Sequence, residues 1–179
     1  MADPQNFQPE QYIEWAMQAC RDAVANGADQ AETYLESQRL VTVTVENNRL
    51  RSSEEKEDPG FCIRAISNGA TGYARGMGIK AQPLRDAGAR AASMAAAADP
   101  DPKFSSLPEP AQAQNVKGLA DDAVTALSAS DVIPWAADCI DAAREQHAGV
   151  TLKMDISIVS AWAAVINSLG VSVSDFHTF

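Results

Sequence analysis

The run Gly76-Met77-Gly78-Ile79-Lys80-Ala81 has the glycine spacing of a dinucleotide-binding turn in its alanine-ended form. In such a turn the backbone N–H groups at a helix N-terminus hold a pyrophosphate. The chemistry also needs a buried parallel strand before the glycines, and an acidic residue about 20 positions on to hold a ribose hydroxyl. Here the acidic candidates, Asp99 and Asp101, fall in "DPDP", which is no strand. The segment before the glycines reads as the return arm of a hairpin, hence antiparallel to its neighbour. Gly72, Gly76 and Gly78 are therefore expected to relieve crowding where a twisted sheet meets an alanine-rich helix.

Other reactive residue types give no self-contained centre. The histidines are His147 and His177, and no H-E-x-x-H occurs. His147 is placed at a helix end, where it complements the C-terminal dipole. Glu54-Glu55, Glu57-Asp58 and Asp121-Asp122 read as solvated turn residues, because a carboxyl serving as general acid needs burial to raise its pKa. Cys20, Cys62 and Cys139 lie in apolar patterns, all expected buried, with no histidine near in sequence. Trp15, Trp135 and Trp162 are expected to pack in the core. No catalytic, metal-binding or cofactor-binding residue is assigned, and the peptide-contacting residues of any binding role stay unknown.

Around these residues the hydrophobic period changes along the chain. Tyr12, Ile13, Ala16, Cys20, Ala23 and Val24 recur at helical spacing after Pro9, and that helix should stop near Gly27. Val41, Val43 and Val45 alternate with Thr42 and Thr44 as in a strand, and Asn47-Asn48 suits a tight turn. "RLRSSEEKEDPG" follows as a charged, exposed strand or hairpin end. Phe61, Ile63 and Ala65 alternate against Cys62, Arg64 and Ile66, and Asn68-Gly69 is a strong hairpin signal. A helix is predicted from Gln82 to Ala98 with Leu84, Ala87, Ala91 and Met94 on one stripe. Pro100, Pro102, Pro108 and Pro110 then mark an extended connection. Beyond it, Ser130 or Asp131 is expected to cap a helix holding Ile133, Ala136, Ile140 and Ala143, with Pro134 in its first turn. Leu152 to Ile158 reads as one strand, a second runs through Ile166, "NSLG" turns, and a third begins at Val171. Helix, strands and asparagine turn thus occur twice, which hints at duplication.

The bulk numbers limit the functions open to such a scaffold. With 24 acidic against 14 basic residues the net charge is −10 and the pI about 4.5, which disfavours nucleic acid and anionic membranes as partners. The 179 residues, 46% hydrophobic, suit one domain with a real core. Three unpaired cysteines suit a reducing cytoplasm. "MADPQNFQPEQ" lacks the basic and apolar regions of a secretory leader, and no run is long enough to span a bilayer.

The succession "GADQAETYLESQRLVTVTVENNRLRSSEEKEDPGFCIRAISNGATGYARGMG", "LRDAGARAASMAAAADPDPKFSSLPEP" and "INSLGVSVSDFHTF" resembles the N-terminal region of the TldD/PmbA family, once called modulators of DNA gyrase. Gly60, Arg64, Gly69, Gly72 and Ala74 meet the family's hairpin pattern, and Asn167, Ser168 and Gly170 its later turn. The likeness covers nearly all of Ala28 to Thr178 and lies in the ordered succession. It implies a cytoplasmic subunit of a zinc metallopeptidase that degrades or processes unfolded peptides, paired as a heterodimer with a paralogous subunit, or with itself. The family's H-E-x-x-x-H motif belongs to a C-terminal half with no counterpart here. Zinc is thus expected in the complete catalytic subunit, and no cofactor in this chain. "FSSLPEP" leans towards the metal-free PmbA (TldE) branch.

The expected fold is α+β, a largely antiparallel sheet with helices packed on one face, truncated before a C-terminal domain. Its expected parts are 1–98, a proline-rich connection at 99–120 and an incomplete second helix-strand unit at 121–179. The expected role is to shape the substrate chamber and subunit interface, with Arg49–Ser53 and Thr151–Ser157 as strand edges open to an extended peptide. Two rivals are a stand-alone interaction domain without chemistry and a nucleotide-binding enzyme using Gly76 to Ala81.

Overall fold

A computed structural model describes residues 8–112 and 116–179. In chain order its elements are α1 (Pro9–Ala25), β1 (Gln30–Glu46), β2 (Arg49–Ser67), β3 (Ala70–Met77), α2 (Ala81–Ala96), α3 (Asp122–Thr125), α4 (Ala129–Gln146), β4 (Lys153–Asn167) and β5 (Ser172–Thr178). The strands form one sheet in the order β3-β2-β1-β4-β5. β2 and β3 are antiparallel, with register from Gly60↔Met77 to Ser67↔Ala70. The α+β expectation of an antiparallel sheet with helices therefore holds.

The β1–β2 and β2–β3 turns form where asparagine signals a turn. Asn47 and Asn48 take φ of 53° and 58°, and Asn68 and Gly69 take 49° and 78°. Two left-handed residues in succession give the turn whose twist matches that of the flanking strands.

Two compact units divide the described residues. The first takes in 8–37, 58–112 and 162–175. Its core holds Leu35, Ile63, Ile66, Leu84 and Ile166. α1 packs on α2 through alanines, with Ala16, Ala19 and Ala23 fully buried on one side and Ala87, Ala91 and Ala95 on the other. Gly88 lets the helices meet, since a Cβ there would stand 2.5 Å from the Ala19 carbonyl oxygen. A Cβ at Gly72 would collide with the Ala91 and Ala95 backbone of α2, which is the crowding predicted for it. Gly76 instead makes room for the ring of Phe61 across the strand pair, while Gly78 faces open space at φ 74°.

In the second unit, 38–57, 116–161 and 176–179, Val41, Val43 and Val45 of β1 pack with Val132, Ala136 and Ile140 of α4 and with Ile158 of β4. The opposite face of β1 is polar. There Thr44 donates to Asp155 at 2.6 Å, and Thr42 lies 3.4 Å from Ser157. Arg39 joins α3 and the start of α4 to the strands, donating to the carbonyls of Thr125 and Leu127 at 3.1 and 2.9 Å and to Glu55 at 2.8 Å.

Several expectations need correction. β4 runs unbroken from Lys153 to Asn167 where two strands were expected, so among the described residues two strands follow α4. β2 is likewise one 19-residue strand running through Pro59. Pro59 is tolerated because it stands where β3 stops pairing: its carbonyl accepts from Gly78 N–H at 2.7 Å, and its nitrogen, lacking a hydrogen, points past the register's end. Glu54 to Asp58 are thus exposed strand residues rather than turn residues. α4 is capped by Ser128, not Ser130 or Asp131. Asp131 completes the capping box by accepting from Ser128 N–H at 2.9 Å, and Pro134 lies beyond the first turn. Met94 is 56% exposed, and Ala95 takes its place on the buried stripe. Cys139 is exposed and Cys62 half-buried, so of the three cysteines only Cys20 is buried as expected. Trp162 is buried, but Trp135 is 43% exposed.

Candidate functional site

The feature most open to a partner is the first half of β2. Residues 49–58 are exposed, and β3 pairs only from Gly60 onward. In an antiparallel strand the N–H and C=O groups of alternate residues point to opposite sides. From Arg49 to Glu55 one side faces β1, and the other meets no strand among the described residues. The order of side chains along this edge is Arg49, Leu50, Arg51, Ser52, Ser53, Glu54, Glu55. Arg51 lies 3.3 Å from Glu46, and both groups remain solvated.

Beside the edge lies a groove of about 210 Å³, lined by Val45 and Leu50 on the strands and by Ile133, Ala136, Ile140 and Arg144 on α4. Leu50 is 48% exposed at its rim. The hairpin end is held by Asn48, whose side-chain amide donates to Val150 O at 2.7 Å and accepts from Leu152 N–H at 2.6 Å. The hydrogen-bonded turn thus presents a strand end, an apolar slot and a cluster of arginines in a chain of net charge −10.

Thr151–Ser157, the other edge named from sequence, is different. β4 begins at Lys153, and Val159 exchanges backbone hydrogen bonds with Phe179 at 2.7 and 3.0 Å.

The glycine run does not build a phosphate cradle. β3 is antiparallel to β2, the Gly78 N–H is bonded to Pro59, and Lys80 precedes α2 with no side-chain cap. His147 is the C-cap residue of α4, as expected. The ring of His177 lies 5.1 Å from that of Phe179. Burial pushes the Cys20 thiol up to about 11, so it is a poor nucleophile at neutral pH. Among the described residues no three His, Cys, Asp or Glu side chains come together in a way that could hold a metal ion. No catalytic step is therefore derived through one. No helix there is long and apolar enough to cross a membrane.

The motif residues that matched the family pattern build the fold. Asp29 accepts from Asn68 N–H at 2.6 Å, and Gln30 holds the proline-rich connection by accepting from Leu107 N–H at 2.8 Å. Arg64 pairs with Glu32 at 2.9 Å. Asn167 accepts from the N–H groups of Leu169 and Val171 and donates to Pro108 O at 2.8 Å, while Ser168 accepts from Ala31 N–H at 3.0 Å. Residues 113–115 of the connection lie outside the described residues. The arginine clamp at Arg39 and the α4 wall of the groove escaped sequence reasoning, because both depend on partners far along the chain.

Residues 31–98 match the family model for the first domain of the PmbA/TldD proteins, described as PmbA/TldA metallopeptidase domain 1. No curated protein matches the chain. Among solved structures, TldE from Thermococcus kodakarensis matches with a TM-score of 0.83 at 22% identity, over 89% of this chain and 36% of its own. A candidate modulator of a DNA gyrase from Thermotoga maritima matches at 0.77 and 15% identity, over 96% and 38%. Another from Bacteroides thetaiotaomicron matches at 0.76 and 16%, over 99% and 40%. The chain thus spans 36–40% of the length of these structures, and the likeness is one of fold. Nothing in these matches separates the TldE branch from the other.

Proposed function

We propose that this chain, whose residues 31–98 match the PmbA/TldA metallopeptidase domain 1, is the part of a peptidase subunit that shapes the substrate chamber and the subunit interface without cutting bonds itself. The observation that carries this reading is the open edge of β2 from Arg49 to Glu55, beside the groove under α4. An added strand gains main-chain hydrogen bonds whatever its sequence, which suits an enzyme acting on unfolded peptides. In this reading the zinc and the cleaving residues belong to the rest of the complete catalytic subunit. The partner is a paralogous subunit or a second copy, and the compartment is the cytoplasm.

The test is to mix the purified 179-residue chain with unfolded casein, with and without zinc. Saturable binding without cleavage is expected, and Ser52→Pro, which removes an edge N–H and stiffens the strand, should weaken it. A chain that retained one zinc ion and cut casein would overturn the proposal, as would binding untouched by changes along β2.

A further inference from the structure

We propose that the groove beside the β2 edge selects what the edge accepts: an extended peptide with one apolar side chain between two acidic ones. The inference rests on the strand-addition reading above and names the class of sequence that is added. Its basis is the alternation of side chains next to the Asn47–Asn48 turn.

A two-residue turn sets Glu46 of β1 opposite Arg49, and Val45 opposite Leu50. Successive side chains of a strand point to opposite faces. Leu50 therefore shares the face of Val45, which packs with Val132, Ala136 and Ile140 of α4, and it lines the groove with Ile133 and Ile140. Arg49 and Arg51 take the other face, that of Glu46, which lies 3.3 Å from Arg51. The pair that closes the turn directs its N–H and C=O groups at each other, so Leu50 and Ser52 turn theirs to the open edge.

A strand bonded to that edge sets each side chain on the same face as the one across from it. The residue opposite Leu50 thus lays its side chain over the groove, while its two neighbours face Arg49 and Arg51. An aliphatic side chain is buried there against half-exposed Leu50 and the α4 wall. Carboxylates beside it meet opposite charges across the strands, which stabilises the pairing. The pattern of acid, apolar, acid reads the same from either end, so it fits whichever way the peptide runs.

The other charges near this end leave that selection in place. Thr44 bonds to Asp155 and Thr42 lies beside Ser157, so β4 carries Lys153 and Asp155 on the far side of β1 from the edge. Glu46 pairs with Arg51, while Arg49 enters no ion pair among the described residues. In the groove itself Asp141 and Arg144 offset each other at 3.7 Å, and Arg144 also reaches the Asn48 carbonyl at 3.5 Å. Glu54, Glu55, Lys56 and Glu57 lie three or more positions beyond Arg51, with Glu55 held by Arg39 at 2.8 Å. That stretch is acidic on balance, which confines the peptide's acidic pair to the arginine end. The bulk charge of the chain is screened beyond about 8 Å at physiological salt, so the nearest groups decide.

The experiment is fluorescence anisotropy with short, capped, labelled peptides that differ only in a central triad, Glu-Leu-Glu, Lys-Leu-Lys or Glu-Ser-Glu, titrated with the 179-residue chain. The Glu-Leu-Glu peptide should bind on the order of tenfold more tightly than either of the others. In Arg49→Glu/Arg51→Glu, checked for native circular dichroism, the order of Glu-Leu-Glu and Lys-Leu-Lys should reverse, which a merely weakened edge would not produce. Leu50→Ser should narrow the gap between Glu-Leu-Glu and Glu-Ser-Glu while keeping the preference over Lys-Leu-Lys.

Three peptides bound alike, or an order that survives charge reversal, overturn the inference. So does a chain that binds casein along β2 but none of the three peptides, and in each of these cases the strand-addition reading stands as long as casein binds there. If the edge takes up neither casein nor any peptide, both proposals fall.

Discussion

Asn167 holds three backbone groups with one side chain: the N–H groups of Leu169 and Val171 and the carbonyl of Pro108. Asn167→Ala should therefore cost about 2–3 kcal/mol in urea unfolding, as buried partners lose their bonds. Asn167→Asp, which keeps the acceptors and loses the donor, should cost less. At Gly88 an added methyl meets the Ala19 carbonyl, so Gly88→Ala should destabilise by about 1–3 kcal/mol despite alanine's better helix propensity. Gly149, with open space around it, gives the control. The hydrogen bonds from the Ser128 hydroxyl and N–H hold the Asp131 carboxyl below the usual carboxylate range. A depressed folded pKa means that the cap's contribution is present above the ordinary aspartate range and is lost as pH falls through the lowered value. An NMR titration of Asp131 should show the depression, and Ser128→Ala should remove it. Labelling with a thiol reagent should modify Cys139 readily and Cys20 only on unfolding, since the first is exposed and the second is buried with its thiol pKa raised.

At the level of elements, the turns were legible because asparagine and glycine reveal positive φ by residue type alone. Asn48 tests how much of that role is conformational. Asn48→Gly keeps the backbone preference but loses the bonds to Val150 and Leu152, so it should lower the midpoint of unfolding, whereas Asn47→Gly should be near neutral. Strand lengths were not legible. The first half of β2 is exposed on both faces, so no alternation marked it, and "DPG" looked like a stop. Pro59 is compatible with a strand only because β3 ends beside it, a fact about a neighbouring strand that local sequence does not carry. β4 was split for the opposite reason: residues 160–162 and 166–167 are buried in succession, which blurs the two-residue period. The edge Arg49–Ser53 could be named from its charge, but the groove beside it could not, since Ile133 and Ile140 join Leu50 only through the fold.

On the scale of the whole molecule, a net charge of −10 argues for partners that are not polyanions. Mobility-shift assays at low salt should accordingly detect no complex with duplex DNA. The exposed arginines of β2 oppose that bulk charge, so the edge should be the part of the surface most sensitive to added salt. The sheet order has a consequence for how the chain can be divided. β4 and β5 come last in sequence, yet β4 lies beside β1, which comes first. A cut after Lys117, in an exposed bend between α2 and α3, would leave β1, β2 and β3 on one piece and β4 and β5 on the other. Neither piece holds a complete sheet, and each exposes what the other covers. The nicked protein should migrate as one species until denatured, and the two pieces, expressed separately, should fold only together, so that this domain can serve as its own complementation reporter.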